Sequence, residues 1–274
     1  MPEGHGCPAL HLVKEGAKRR VHDSLDMDQY EPDEQIFQTP RPQPLPRRRV
    51  PVRRNRRFSA QEKKDLGISI LLVSLVAISL QSGAFGVGGI PFLSGVQATL
   101  AAISSGYWWV PVATIVMFLA VYLVHEMAHK FMAQHFGMWA EFRMTMQGYY
   151  LSAIAIIFSI PIFGTGAVFT SGAHSREEDG LVNFVGPFSN FVFAASLAML
   201  AITALPIISD PFYLVRFIFM MGIALNAFIG LFNMIPFQPF DGGTIYVWNK
   251  KLWGILTVAL LMLLLFGYFI LPMI

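Results

Sequence analysis

The chain has 274 residues, of which 54% are hydrophobic and 14% are charged, and its formal net charge at pH 7 is +3. Soluble domains are about 45–50% apolar by this kind of count, so the composition argues against a water-soluble enzyme or binding module. The single cysteine, Cys7, excludes an internal disulfide scaffold.

The charged residues are distributed unevenly along the chain. Residues 1–40 carry four Lys/Arg and eight Asp/Glu, residues 41–66 carry ten and two, and residues 67–274 carry six and seven. So few charges over so long a stretch indicate a polytopic membrane domain. We therefore predict a disordered Pro/Arg-rich tail over 1–66 and a membrane-embedded domain over 67–274. Because the basic character comes from one short segment, we expect no nucleic-acid partner.

The tail predicts the orientation of the chain. It has no apolar stretch that would serve as a cleavable signal peptide, so we expect the first span to act as the insertion signal. Seven arginines between 47 and 57 precede that span, and the positive-inside rule then places the N-terminus in the cytoplasm. A second interpretation is that the arginines also contact anionic lipid headgroups.

Hydropathy predicts the spans in chain order. An interrupted apolar segment at 149–170 contains a proline and two glycines, and the apolar residues 96–103 are too few to cross. The clear candidates are 67–85, 107–136, 184–205, 213–235 and 252–271. The predicted fold class is an all-α polytopic membrane protein of about five to six transmembrane helices.

The second of these spans ends in the sequence His125-Glu126-Met127-Ala128-His129. Two histidines four residues apart share one face of a helix, so His125 and His129 can bind the same Zn²⁺. Glu126 is placed beside them to take a proton from a metal-bound water. Ionisable groups within a span are costly and usually functional, so the motif predicts a hydrolytic metal site inside the bilayer.

A catalytic zinc usually has three protein ligands and an open position. Among the charged residues between 180 and 249, Asp210 lies in a Ser-Asp-Pro turn and Asp241 follows a segment that Pro236 and Pro239 would unwind. Unwound backbone at membrane depth is tolerated where protein or a cavity covers it, and a carboxylate there needs a partner. Asp241 is therefore the predicted third ligand. Its alternative role is to cap a helix beginning at Gly242.

Other candidates fit less well. A polar cluster contains a histidine and three acidic residues, but its sequence resembles a solvated loop. His135 lies six residues beyond the motif and faces elsewhere on the helix. The residues of the polar cluster are His174, Glu177, Glu178 and Asp179.

Together the motifs resemble the site-2 protease family of intramembrane zinc metalloproteases. The resemblance is carried by the His-Glu-x-x-His sequence and by a later Asn-x-x-Pro-x-x-x-x-Asp-Gly segment, and it covers about residues 107–249. Gly186-Pro187-Phe188-Ser189-Asn190 also resembles the family's Gly-Pro-x-x-Asn segment. The residues matched in the later segment are Asn233, Pro236, Asp241 and Gly242. Phe240 stands where the family commonly has leucine.

The resemblance implies an endopeptidase that cleaves in or near transmembrane helices of single-span membrane proteins. One Zn²⁺ would be held by His125, His129 and Asp241, with Glu126 as the catalytic base. Asn233 is the family's candidate for a further hydrogen bond to the substrate or the oxyanion, and its alternative role is to cap a broken helix.

Topology provides a check on this site. Asp241 must return to the side of the membrane on which the histidines lie, so an even number of crossings must separate the two motifs. Three candidate segments lie between them. We predict that 149–170 enters and leaves on one side, with residues 167–170 forming a strand of a membrane-embedded β-hairpin. Such a strand would hold an unwound substrate by edge pairing. The alternative is that 149–170 is an ordinary span.

Two other functions compete with proteolysis. A non-catalytic protein could keep the protease fold and bind helices without cutting them, although the ligands and the base are all present. A metal transporter would carry ionisable residues on several spans along a path, whereas the residues here belong to two motifs. The sequence favours the enzyme, an integral multi-pass protein of the cell membrane.

Overall fold

The computed structural model describes residues 58–82, 91–161, 164–172, 175–208 and 214–273. These residues belong to one compact unit, Pro51–Ile274. Residues 1–57 of the predicted disordered tail, with the arginines predicted to contact lipid, lie outside the described residues, whereas residues 60–66 of that tail belong to α1. The elements in chain order are α1 Ala60–Ser79, α2 Pro91–Ser104, α3 Trp109–His135, β1 Trp139–Met144, α4 Met146–Phe158, β2 Gly166–Ser171, α5 Arg176–Ala204, α6 Leu214–Asn233, α7 Asp241–Trp248 and α8 Lys250–Leu265. A π-helical turn and a 3₁₀ turn extend α8 as far as Met273.

Four of these helices are long and apolar enough to cross a membrane: α3, α5, α6 and α8 with its extension. The chain is therefore a multi-pass membrane protein, as predicted. The predicted all-α polytopic fold is confirmed, with four spans in the described residues where about five to six were expected. Helix α1 is not among the four because its first turns carry four charged residues, Glu62, Lys63, Lys64 and Asp65.

Helix α1 also begins earlier than the predicted start of the membrane domain at residue 67. Hydropathy misses the beginning because residues 61–65 are polar. The helix begins at Ala60 because the side chain of Ser59 caps it by accepting a hydrogen bond from the Glu62 N–H. The polar first turns are thus part of the helical bundle.

The interrupted segment at 149–170 forms a short helix and a strand. Helix α4 has 13 residues, which is about 20 Å of helix and too short for a 30 Å hydrocarbon core. Strand β2 contains the predicted strand residues 167–170 and pairs antiparallel with β1, with Phe142 opposite Val168. This confirms the strand. Its partner, β1, was not predicted.

The helices surround an apolar core to which α1, α3 and α6 contribute. Val73, Phe118 and Ile229 are among its buried members. The outward faces carry exposed apolar side chains, such as Met199 at 71% and Met262 at 67%, which suit a lipid environment. Two spans, α5 and α6, separate the end of α3 from Asp241, so the even number of crossings required by the sequence is met.

Candidate metal centre

The histidine motif lies on the C-terminal half of α3. His125 and His129 are one helical turn apart, and both are buried, with 4% and 7% of their surface exposed. Their Nε2 atoms lie 3.1 Å from each other. The helix therefore presents both imidazole nitrogens to one point, as the spacing predicts.

Asp241 is brought to the same point by the turn between α6 and α7. It is the first residue of α7, and its Oδ2 lies 3.3 Å from His125 Nε2 and 3.2 Å from His129 Nε2. The turn is tight, since a Cβ at Gly242 would lie 2.3 Å from the carbonyl of Met234. Trp253 fixes it from α8 by donating its Nε1–H to the same carbonyl at 2.7 Å. Asp241 thus meets the two histidines, as predicted.

The three atoms have the spacing that a tetrahedral zinc requires. Ligand atoms about 2.0–2.1 Å from zinc in tetrahedral geometry lie about 3.3 Å from one another. The observed separations of 3.1, 3.2 and 3.3 Å fit this triangle. Three protein ligands leave a fourth position for water or substrate, as in catalytic zinc sites. Within the described residues, His125, His129 and Asp241 form one group of three potential metal ligands.

The hydrogen bonds behind the histidines set their tautomers. His125 Nδ1 lies 2.6 Å from Asn190 Oδ1, and His129 Nδ1 lies 2.6 Å from the carbonyl oxygen of Val182. Both partners are acceptors, so both Nδ1 atoms carry the proton and both Nε2 atoms present lone pairs. Three acceptor atoms then face one another, and Asp241 Oδ2 is buried without a hydrogen-bond donor. A cation resolves this arrangement.

Asp241 suits the same role, because a carboxylate binds a metal in its ionised form, and a cation between it and the two imidazole lone pairs favours that form.

Two asparagines extend the support of His125 into neighbouring helices. Asn190 on α5 donates its Nδ2–H to Asn226 Oδ1 on α6 at 3.2 Å, and Asn226 donates to the carbonyl of Gly222 at 2.8 Å. Both side chains are buried, at 1% and 4% exposure. The chain of amides fixes the orientation of Asn190 and hence of the imidazole.

Helix α5 approaches the ligands closely because of one glycine. A Cβ at Gly186 would lie 2.2 Å from His129 Nε2 and 2.9 Å from His125 Cε1. No side chain fits in that position. The glycine therefore makes the space in which the two imidazoles converge.

Glu126 lies beside the ligands and faces the two-stranded sheet. Its carboxylate lies close to His125, His129 and Asp241 and to the backbone N–H of Val168 on β2. The predicted base thus lies between the ligand cluster and the outer edge of a β-strand.

Comparisons with known proteins point to a metalloprotease. A protein of Methanocaldococcus jannaschii named "Putative zinc metalloprotease MJ0611" is 28% identical to the chain over 215 residues, which cover 78% of the chain and 97% of that protein. The chain is site-2 protease-like. A Mycobacterium tuberculosis protein named "Putative zinc metalloprotease Rip3" is 27% identical over 149 residues, 53% of the chain and 33% of that protein. No protein-family model and no solved structure matches the chain.

The names of these relatives and the ligand cluster together support Zn²⁺ as the cofactor of this site-2 protease-like chain, and they support a metalloprotease. The residues that would hold the zinc are His125, His129 and Asp241. Their donor set of two imidazoles and one carboxylate is of a kind found in catalytic zinc sites.

The remaining candidates that the structure describes lie apart from this cluster. His135 is exposed at the end of α3, and its ring lies against Phe136. Glu177 and Asp179 are in the first turn of α5, outside the ligand group. Asp210 and His174 lie outside the described residues.

Asn233 is the last residue of α6, at the start of the turn that leads to Asp241. Its Nδ2–H donates to the carbonyl of Ile229 one turn earlier, at 3.0 Å. The amide nitrogen carries a second N–H, so the side chain can bond a substrate oxygen without giving up this partner. A catalytic role for Asn233 stays a prediction.

Asn190 and Asn226 are functional candidates that the sequence reasoning missed. Asn190 stands in the Gly-Pro-x-x-Asn segment, for which no role was predicted, and Asn226 belongs to no predicted motif. The signal in the sequence was an amide side chain within an otherwise apolar span, because such a group needs a hydrogen-bond partner.

Proposed function

We propose that the chain is an intramembrane zinc endopeptidase that hydrolyses peptide bonds in or near transmembrane helices of single-span membrane proteins. The observation that carries this proposal is the convergence of His125, His129 and Asp241 beside Glu126 in a chain with four apolar spans. The names of the relatives support proteolysis, and the spans provide the membrane setting.

Zinc bound at this site would lower the pKa of a water molecule and polarise the peptide carbonyl. Residues of the chain transfer the proton and orient the ligands. Glu126 accepts the proton of the attacking water and delivers it to the amine nitrogen of the leaving peptide. Asn190 and the Val182 carbonyl hold the histidines in the tautomer that keeps both Nε2 lone pairs free.

A transmembrane substrate also has to be unwound, since its amides are hydrogen-bonded within its own helix. An extended peptide can be held by pairing with an exposed strand edge. We expect the outer edge of β2 to receive it, because the Val168 N–H on that edge contacts Glu126. A peptide paired there would lie next to the base and the metal ligands.

The orientation of the protein belongs to the same proposal. An N-terminus in the cytoplasm, predicted by the arginines that precede α1, places the end of α3 and the site towards the cytoplasmic face of the cell membrane if the first predicted span, 67–85, crosses outward and α3 crosses back. The cleaved fragment would then be released on that side. The bilayer, and anionic headgroups near the arginines, are the further expected partners.

The decisive experiment measures bound zinc and cleavage together on the purified full chain in detergent. We expect Glu126→Gln to keep about one zinc per chain and lose turnover, and Asp241→Ala to weaken zinc binding. Glu177→Gln, an exposed carboxylate on α5, is the control and should resemble wild type. Cleavage near wild type in Glu126→Gln would refute the mechanism. Tight zinc binding without cleavage of any single-span substrate would favour a non-catalytic helix-binding protein.

A further inference from the structure

Three polar side chains form a buried stripe on α1. Glu62, Asp65 and Ser69 are spaced three and four residues apart, so they share one helix face, and they are 0%, 5% and 0% exposed. We propose that this stripe positions the β1–β2 sheet against α3, with Glu62 as its central positioning residue, so that a substrate peptide can pair only with the outer edge of β2. The inference rests on the proposed function, since it concerns how substrate is bound.

Glu62 joins three elements. Its Oε1 accepts a hydrogen bond from the Phe142 N–H of β1 at 3.0 Å, and the same oxygen receives the ammonium of Lys130 on α3. Lys130 is fully buried and directly follows the zinc-ligand candidate His129. One carboxylate thus connects the first helix, the first strand and the helix of the metal motif.

Asp65 continues the contact along the strand. Its Oδ2 accepts a hydrogen bond from the Met144 N–H at 3.3 Å. The N–H groups of Phe142 and Met144 therefore face α1 rather than β2. In an antiparallel pair the residues opposite them, Val168 and Gly166, turn their own backbone groups away from β1. The stripe closes the outer edge of β1, and the open edge is that of β2, which meets Glu126.

Ser69 fixes the beginning of β2. Its hydroxyl, the Tyr122 hydroxyl and the Thr165 hydroxyl lie 2.7 Å from one another, all buried. Thr165 immediately precedes β2, and Tyr122 lies one turn before Glu126 on α3. The third residue of the stripe therefore ties the start of the edge strand to the helix that carries the base.

The free energy of burying the Glu62–Lys130 ion pair indicates a role for it other than stabilising the fold. Burying an ion pair such as Glu62–Lys130 costs desolvation, and well-packed apolar residues of similar volume are often as stable or more so. What apolar residues cannot supply is an acceptor for the Phe142 N–H. The pair thus holds a carboxylate at the edge of a strand inside an apolar bundle.

Two matched double variants distinguish the effect of the hydrogen-bond acceptor from the effect of the charge. Glu62→Gln with Lys130→Met removes both charges and keeps an acceptor for Phe142, whereas Glu62→Leu with Lys130→Met removes the acceptor too. Asp65→Asn and Asp65→Ala form a second pair, which decides the question if the first pair does not fold. Lys64→Ala, an exposed neighbour on α1, is the control.

Three quantities are measured on the full chain in detergent: zinc per chain, hydrogen exchange of the Phe142 and Met144 amides, and binding of a dansyl-labelled single-span peptide in a Glu126→Gln background. We expect the acceptor-free variants to keep zinc, to exchange about tenfold faster at the amide they release, and to bind the peptide about five- to tenfold more weakly. In the catalytic background KM rises by the same factor while kcat changes little. The acceptor-keeping variants should stay within about twofold of Lys64→Ala.

Equal peptide affinity in the acceptor-free and acceptor-keeping variants would overturn the inference, and so would loss of zinc in the acceptor-free ones. These outcomes are separate from failure of the proposed function. If the wild-type chain cleaves no substrate, the endopeptidase proposal fails, but exchange and peptide binding still test the stripe.

Discussion

The metal centre and the contact between α1 and β1 both bury an ionised carboxylate in an apolar bundle, and they differ in the cation that neutralises it. At the metal centre Asp241 faces two imidazole lone pairs, and the groups behind the histidines are neutral acceptors. At the α1 contact Glu62 Oε1 faces the ammonium of Lys130, and Glu62 Oε2 is buried without a hydrogen-bond partner. The first arrangement needs an added cation, whereas in the second the chain itself supplies the cation.

The largest effect on the metal centre is expected from Gly186→Ala. The new Cβ would lie 2.2 Å from His129 Nε2, so the imidazole must leave the position in which it meets Asp241. We expect zinc affinity to fall by more than about 100-fold and cleavage to be lost. Zinc per chain after dialysis against a buffered zinc concentration measures this.

Gly254→Ala on α8 is the matched control, because a Cβ there meets nothing within 4 Å. It should bind zinc as wild type and be slightly more stable, since alanine is favoured over glycine in a helix by about 0.5–1 kcal/mol. Normal zinc binding by Gly186→Ala would mean that α5 does not approach the ligands as closely as the structure shows.

Removing the metal should separate the two regions. Without a cation the three acceptors repel one another, so we expect chelation to loosen α7 against α3, with faster hydrogen exchange over Asp241–Trp248. A ligand present at about 1,000 times its Kd stabilises the folded state by about 4 kcal/mol, which sets the scale of the loss. The amides of Phe142 and Met144 should be unchanged. Equal acceleration at both places would contradict the comparison.

The sequence predicted the metal centre better than the α1 contact, for a physical reason. The relation between His125 and His129 is local, because the pitch of one helix fixes it. Asp241 could be inferred because a carboxylate in an unwound apolar segment needs a partner. Glu62 and Lys130 are 68 residues apart, and nothing local to either residue points to the other. Their signal was the position of Lys130, a charge inside the second predicted span, where an ionisable side chain needs a partner.

The elements of the fold were likewise predicted where their cause is local and missed where it lies in distant contacts. Long apolar helices were predicted because hydropathy is a property of the segment itself. Strand β1 was missed because its pattern of burial does not alternate. Ala140 and Phe142 pack in apolar clusters on one face, and Glu141 on the other face is bonded by Ser59 and Arg143. The start of α1 was missed because its polar residues are buried by contacts with β1 and α3, which no window of the sequence contains.

A smaller effect is expected from Asn190→Ala. His125 then keeps its ligand atom but loses the acceptor that fixes its tautomer, so zinc affinity should fall about 10- to 100-fold. Competition with a chelator of known affinity measures the change. Asn183→Ala on the same helix is the control, since the Asn183 Nδ2–H donates within α5, to the carbonyl of Asp179. Asn183→Ala should bind zinc as wild type, and equal losses in the two variants would point to a general weakening of α5.

The smallest effect is expected from Asn226→Ala, and it tests whether the amides act as a chain. Asn226 reaches the metal only through Asn190, so its loss should weaken zinc binding about three- to tenfold. The double variant with Asn190→Ala should then be no weaker than Asn190→Ala alone, because the intermediate is already gone. Additive losses would show that Asn226 acts separately, through the packing of α6. Non-additivity would establish that support for the zinc ligand passes from α6 through α5 to α3, whereas support for the sheet passes from α1.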